Sequence, residues 1–438
     1  MGIPFYFASL SKSHKGIIHT VKQFDVDVFV IDFNCLIHRY LKDEDPITSI
    51  LEALEHICNT VCRSKLLIIA MDGLVPYGKI VQQRYRRMRI KEAGVFDRNQ
   101  ISPDTPYMRE LEQSLRVRFP YAVINGTTLE GEGEHKMITE LKGLAPERRR
   151  SICVYGLDAD LILIALQHHK LSEPHKFHLL RESAEFNDPK LKSAEFASLN
   201  IWNLLKELPL RIDQYIALSI LCFGNDFMPN LAIFSLREGG YERALDFYVK
   251  SGSPNLLKPD GRRRFLRYCA THELEILSER IGLRKRPEER ALLGKDKSLL
   301  SHKYGLHVLD GVTNMKPVVD AYWKTFHWTS EYFIESSTKN WAWVYPYADA
   351  PLIQDIVLYN ESQITESPLN FNVTRQLQFI MPCSSLRTAK RRVIYPDELH
   401  LETRNPWMKR HDWEMKPRIS LPWHPTEKLT SVSRITLE

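Results

Sequence analysis

Short apolar runs closed by a carboxylate recur through the first half of the chain, separated by stretches of helical spacing. Asp27-Val28-Phe29-Val30-Ile31 is rich in β-branched residues and ends at Asp32, which predicts a buried central strand. Within 47–62, Ile50, Leu54, Ile57 and Val61 repeat at helical spacing, and a second apolar run, Leu66–Met71, ends at Asp72. The order strand, helix, strand predicts a βαβ unit. A third strand around Tyr121–Asn125 leads into Glu130-Gly131-Glu132-Gly133-Glu134-His135 and a helix through Leu141. A fourth, Ser151–Tyr155, ends at Gly156-Leu157-Asp158-Ala159-Asp160 before the apolar helix Leu161–Gln167. Beyond a polar stretch around 170–195, Ile212–Phe223 has the spacing of a helix that delivers Gly224-Asn225-Asp226. The pattern predicts an α/β fold, a mostly parallel sheet with helices on both faces. Its carboxylates fall at the carboxyl ends of strands, the edge where open α/β sheets bind ligands.

The second half reads differently. Residues 251–315 predict a basic helical connector, 316–365 are rich in aromatics, and 370–425 carry short proline-punctuated segments expected to include β structure. The expected division is an N-terminal α/β domain over 1–250, the connector over 251–315, and a C-terminal α+β segment over 316–438 packed on the first domain. With 43% hydrophobic and 26% charged residues the chain has globular rather than disordered composition. Its apolar runs fall far short of the roughly 20 residues needed to span a bilayer. The N-terminus lacks the basic and apolar pattern of a secretory signal. Seven scattered cysteines, an odd number, read as reduced thiols of an intracellular, cytoplasmic protein. His56, Cys58 and Cys62 have helical spacing and no second ligand pair, which favours core packing over a closed zinc site.

A net charge of +6 says little by itself, but its distribution says more. Between Lys79 and Lys91 lie Arg84, Arg86, Arg87 and Arg89 with no acidic residue, a local field suited to phosphates. Arg262-Arg263-Arg264 and Lys390-Arg391-Arg392 are further clusters whose simplest reading is a solvated turn. The second, with Arg387, also has the composition of a nuclear import signal.

Seven carboxylates stand out by position: Asp32, Asp72, Glu132, Glu134, Asp158, Asp160 and Asp226. Clustering so many in apolar or glycine-rich settings is prohibitive unless cations neutralise them. All-oxygen ligands suit Mg²⁺ or Mn²⁺ rather than zinc. Two such ions about 3.5–4 Å apart can activate water and stabilise a leaving oxygen, the chemistry of phosphodiester hydrolysis. Asp32 or Asp226 alone would equally fit a helix N-cap. Glu132 with Glu134 and Asp158 with Asp160, each pair spaced i and i+2 beside glycine, favour the metal reading.

Several motifs in order carry a resemblance. Met1-Gly2-Ile3-Pro4 with Phe7, Asp32-Phe33-Asn34-Cys35-Leu36-Ile37-His38, and Asp72-Gly73-Leu74-Val75-Pro76 running on to Arg87 come first. Gly131-Glu132-Gly133-Glu134-His135-Lys136, Tyr155-Gly156-Leu157-Asp158-Ala159-Asp160-Leu161 and Gly224-Asn225-Asp226-Phe227-Met228-Pro229 follow. Together with Trp341-Ala342-Trp343-Val344-Tyr345-Pro346-Tyr347 they resemble the XRN family of 5′-to-3′ exoribonucleases. The resemblance implies a metal-dependent nuclease, working as a monomer in mRNA degradation, that removes one nucleotide at a time from single-stranded RNA bearing a 5′-monophosphate. It implies that the seven carboxylates are the catalytic and metal-binding set for two Mg²⁺ ions, with Mn²⁺ able to substitute. It further implies a 5′-phosphate pocket of Lys79, Gln83, Arg86 and Arg87, and a base stacked between His38 and an aromatic, Trp341 in preference to Trp343. The connector is shorter than in the family's larger members, a compactness similar to that of members encoded by large DNA viruses. Two other readings are weighed. A flap endonuclease-like 5′ nuclease acting on DNA would follow Asp226 with a glycine-rich helix-hairpin-helix, and this chain does not. A catalytically inactive RNA-binding scaffold would have lost an acidic position, and none is lost.

Overall fold

The computed structural model describes residues 3–388 apart from 4, 15, 89–95, 157, 187–190, 192–193, 283–299, 310, 348 and 369–370. Seven strands form one sheet in the order β1-β7-β6-β5-β2-β3-β4. They are β1 (Ile18–Val21), β2 (Phe24–Asp32), β3 (Cys62–Ala70), β4 (Val123–Asn125), β5 (Ile152–Tyr155), β6 (Phe177–Glu182) and β7 (Phe196–Asn200). The run from β6 through β4 is parallel, and β7 and β1 add an antiparallel edge. Strand β2 is central, with Val28 opposite both Leu66 and Ile152 and Asp32 opposite Ala70.

Period-two alternation divides the core between the two faces. Val28, Val30, Ile68, Ile152 and Val154 enter one hydrophobic cluster, and Phe29, Ile31, Ile69, Cys153 and Tyr155 enter the other. Helices cover both faces, which is why these strands are apolar without interruption. Asp45 starts the 46–56 helix as the spacing predicts, its side chain accepting the Thr48 backbone N–H at 3.2 Å. That helix then widens into one π turn at Ile57–Val61 before β3 begins.

Three strands escape the sequence reading. The polar stretch around 170–195 contains β6, whose His178, Arg181 and Glu182 interrupt the apolar pattern. Strand β7 buries Ser198 and Asn200, and β1 is a four-residue edge. The expected β structure beyond 370 is also corrected, because Val373–Ile380 and Cys383–Thr388 are helices. Asn372 caps the first through an N–H bond from Arg375 at 2.8 Å, and Leu377, Phe379 and Ile380 give it a buried face. Arg89, Lys91, Lys390-Arg391-Arg392, Met1-Gly2, Pro4 and Leu157, together with the rest of the 389–425 reading, lie outside the described residues.

The larger cluster runs from Ile3 to Ile356 and so includes residues on both sides of position 250. The Lys316–Glu335 helix packs on the Ala159–Gln167 and Ile212–Phe223 helices, and Tyr322 donates to the Leu221 carbonyl at 2.8 Å. Within 251–315, Pro259–Gly282 and Leu300–His307 are helical. Arg262 is not a solvated turn residue: it is buried and bonded to both carboxylate oxygens of Glu361, at 2.9 and 2.5 Å. No described helix is long and apolar enough to cross a membrane.

Glu273 is fully buried on the 259–282 helix and accepts the N–H groups of Ile353 and Gln354 at 2.8 and 2.9 Å. Burial, with Asp355 nearby, pushes its carboxyl from 4.5 to about 7 despite those bonds. Between these values the folded state keeps a proton that the unfolded chain has released. The group's contribution to stability therefore falls as pH rises through that window, by about 1.4 kcal/mol per unit of separation. Glu273→Gln removes this titration, so urea denaturation should show the variant gaining on the wild type from pH 5 to pH 8. A difference that is constant with pH would contradict the assignment.

Candidate active site

The parallel strands end on one edge, and the acidic loops leave from it. Asp32 closes β2 with extended backbone before the short Phe33–Ile37 helix begins, and Asp72 follows β3 by two residues. Asp72 Oδ1 accepts the N–H of Gly133 at 2.9 Å, which places a remote carboxylate at the N-terminus of the Gly133–Gly143 helix. Gly133 allows a close approach here, since a Cβ would stand 3.2 Å from the Ala70 carbonyl oxygen and push the end of β3 aside by a few tenths of an ångström. Gly156, at φ 151°, turns the chain out of β5 beside Asp32, where a Cβ would lie 2.8 Å from the Leu161 side chain. Asp158 and Asp160 follow at the start of the Ala159–Gln167 helix, the first exposed and the second buried. Asp226 is held by an Asx turn in which Asn225 Oδ1 accepts the N–H groups of Phe227 and Met228 at 2.9 and 3.0 Å.

The seven carboxylates interact as one cluster. Burial first, and then the charge of Asp72, pushes Asp32 up to about 7, while a bond from Cys35 Sγ at 3.0 Å works against the rise. Burial and the neighbouring Asp226 push Asp160 up to about 7. Glu134 is raised well above the usual carboxylate range by burial and by Glu132. Glu132 is raised by burial although Lys79 Nζ lies 2.5 Å from its Oε2. Asp226 runs the other way, because Arg86 at 3.1 Å and Lys79 at 3.8 Å outweigh its burial. Among the described residues no donor reaches the buried Oδ1 of Asp160. One ligand atom each from Asp32, Cys35 and Asp158 lie within 4.8 Å of one another. The cations of the described residues thus neutralise the acidic edge only in part. Its donors are mainly carboxylate oxygens, the set that fits hard divalent cations.

The basic face is the Tyr77–Met88 helix, on which Lys79, Gln83, Arg86 and Arg87 share one side. Lys79 and Arg86 are drawn to the acidic edge as described. Gln83 and Arg87 turn to their surroundings instead: Arg87 donates to Ser102 Oγ at 2.8 Å and to the Ile101 carbonyl at 2.9 Å. Burial, then Arg86, lowers Arg87 to about 10. His38 stands at the end of the 33–37 helix with its surface open to solvent, while partial desolvation by the protein around its ring, then Arg87, Arg98 and Arg86, hold it below the usual imidazole range. Trp341 is half-buried against the cluster of Leu74, Val75 and Tyr77, and its carbonyl accepts the Tyr77 N–H at 2.8 Å. Among the described residues no ring contact joins it to His38. Trp343 donates through Nε1 to Thr325 Oγ1 at 3.0 Å.

Four contributors escape the sequence reading. Tyr332 brings its hydroxyl to Glu132 and Glu134, at 2.6 and 3.0 Å, and burial and those two acids keep the phenol well above its usual range. Lys136 Nζ donates to the carbonyls of Met71 and Gly126 at 2.7 and 2.9 Å, tying down the loop of Asp72. Cys35 sits on Asp32. Gln376, fully buried on the 373–380 helix, accepts the Val75 N–H at 3.1 Å, donates to the Gly73 carbonyl at 3.0 Å, and reaches Gln83 Oε1 at 3.5 Å. Lys136 and Cys35 lie inside the quoted motifs, whereas only the tertiary fold brings Tyr332 and Gln376 to the site.

Residues 1–95 and 90–183 match the family described as XRN 5′-3′ exonuclease N-terminus. Through this region, less than half of the chain, the sequence is similar to the XRN family. It is 27% identical to 5′-3′ exoribonuclease 1 of Saccharomyces cerevisiae, over 60% of this chain and 21% of that protein. It is 26% identical to 5′-3′ exoribonuclease 2 of Candida glabrata, over 58% and 36% respectively. The chain therefore spans well under half the length of these relatives. Among solved structures, the catalytic core of Rad2 in complex with DNA substrate is similar at a TM-score of 0.41 and 14% identity, over 90% of this chain and 96% of that one. A likeness that slight carries no argument.

Gln376→Leu strands the Val75 N–H and the Gly73 carbonyl, and each buried group left unpaired costs about 1–3 kcal/mol. Urea denaturation should show a loss in that range or above. An unchanged midpoint and slope would show that Gln376 does not hold the loop.

Proposed function

We propose that this chain is a 5′-to-3′ exoribonuclease that hydrolyses single-stranded, 5′-monophosphorylated RNA to mononucleotides, acting in RNA degradation. The observation that carries the reading is the cluster of mutually destabilised carboxylates at the sheet edge, with no donor among the described residues reaching Asp160 Oδ1 and a helix of basic residues alongside. Asp32, Asp72, Glu132, Glu134, Asp158, Asp160 and Asp226 would hold two divalent cations, Mg²⁺ or Mn²⁺. Bound there, such ions supply a water nucleophile at neutral pH and charge stabilisation for the leaving oxygen. The remaining work belongs to the protein's own groups. Lys79 and Arg86, beside the carboxylates, offer charge-assisted donors to a terminal phosphate, and Gln83 and Arg87 would join that pocket by turning from Gln376, Ser102 and Ile101. His38 supplies a flat, exposed ring near the arginines, and Trp341 the second face of a stacking grip that tolerates any base. The helix dipole of 133–143 is already occupied by Asp72, which leaves phosphate binding to side chains.

The experiment compares labelled single-stranded RNA bearing a 5′-phosphate, a 5′-hydroxyl or a cap, with Mg²⁺ or with EDTA, for the wild type and Asp160→Asn. The 5′-phosphate RNA should be degraded to mononucleotides and the others spared. EDTA should stop the reaction. Asp160→Asn should slow it by two orders of magnitude or more, about the loss seen when one transition-state stabilising group is removed. The variant should melt no lower than the wild type, since it removes a buried carboxylate repelled by Asp226. Equal rates on all ends, or full activity of Asp160→Asn, would refute the reading.

A further inference from the structure

Tyr332 belongs to none of the roles above, yet it touches two of the proposed ligands. It lies on the Lys316–Glu335 helix, almost 200 residues from them in sequence. Its ring stacks on Trp328 at 5.5 Å and 19° and meets Phe227 and His135 edge-on at 5.0 and 4.1 Å. Trp328 is itself pinned, its Nε1 donating to the Asn340 carbonyl at 2.7 Å. The hydroxyl is therefore set in place by rigid aromatic packing rather than by a mobile side chain. It meets Oε1 of both Glu132 and Glu134, while Oε2 of Glu132 is left facing Lys79. Two carboxylates spaced i and i+2 at a helix start repel each other and would otherwise turn apart. A single phenolic proton shared between them holds both in one orientation.

We propose that Tyr332 is a positioning residue for the cation site, fixing the rotamers of Glu132 and Glu134 at the acidic edge where a divalent ion would bind. This rests on the metal reading given above, and it makes a residue of the C-terminal half part of the geometry of the acidic edge. Removing a group that orients a metal-binding side chain typically weakens metal affinity by about 10–100-fold.

The test titrates Mn²⁺ into the full chain as wild type, Tyr332→Phe and Trp328→Phe. Free ion is read from the EPR amplitude of aqueous Mn²⁺, and the melting temperature of each metal-free protein is measured alongside. Tyr332→Phe should bind Mn²⁺ about tenfold more weakly while melting close to the wild type. Trp328→Phe keeps the hydroxyl and loosens the packing, so it should lose melting temperature more than affinity. Wild-type affinity in Tyr332→Phe would overturn the proposal. So would a loss of affinity that tracks melting temperature equally in both variants, or a Tyr332→Phe chain that does not fold, because the hydroxyl would then be a structural element. A wild type that binds no Mn²⁺ would instead defeat the metal reading, and that result precedes any variant.

Discussion

Carboxylates delivered from five loops repel one another, and burial at the carboxyl ends of β2, β3 and β5 removes much of the water that would screen them. The repulsion is visible in Asp32 and Asp160, both pushed up to about 7, and in Glu134, raised well above the usual carboxylate range. The protein answers it only in part. Lys79 spans Glu132 and Asp226 and Arg86 adds to Asp226, while Cys35 and Tyr332 bring neutral donors to Asp32 and to the Glu132–Glu134 pair. Isolated buried acids on this scale would be expelled or protonated in a protein that had no use for them. The sheet, the glycines that allow close approach, and the basic helix become intelligible together as a frame for charges that call for external cations.

The same constraint explains why the C-terminal half is packed where it is. Tyr332 reaches the acidic pair, Gln376 fastens the loop after Asp72, and Arg84 lies buried over the ring of Phe379 at 4.9 Å. Each contact joins a residue beyond 316 to one of the motifs that carry the proposed chemistry. Loops bearing like charges need rigid support from outside the sheet, and helices 316–335 and 373–380 provide it. The site is accordingly a product of the whole described chain and not of the α/β sheet alone.

Much of this was legible in the sequence, for definable reasons. The apolar runs ending at Asp32, Asp72 and Tyr155 mark fully buried parallel strands, and the helix over 212–223 has the bounds its spacing predicts. The acidic residues could be assembled because the carboxyl ends of parallel strands must share an edge. Strands β6 and β7 were hidden because their polar residues are carried into the interior by tertiary packing, as when Tyr155 donates to the buried Glu182 at 2.6 Å. The helices after 370 were hidden by the prolines that flank them. Arg262 looked like a surface charge because its partner, Glu361, lies 99 residues away. Tyr332 and Gln376 carry no motif at all, since a supporting side chain is recruited by packing rather than by spacing.

The central claim is that the acidic edge is built to receive divalent cations, and thermal unfolding of the unmodified chain tests it most directly. A ligand that binds only the folded state stabilises it by RT ln(1 + [L]/Kd), about 2.7 kcal/mol at a hundredfold excess over Kd. The melting temperature should therefore climb steadily as Mg²⁺ replaces EDTA, at constant ionic strength, and level off only logarithmically. A melting temperature that is the same in EDTA and in millimolar Mg²⁺ would contradict the account.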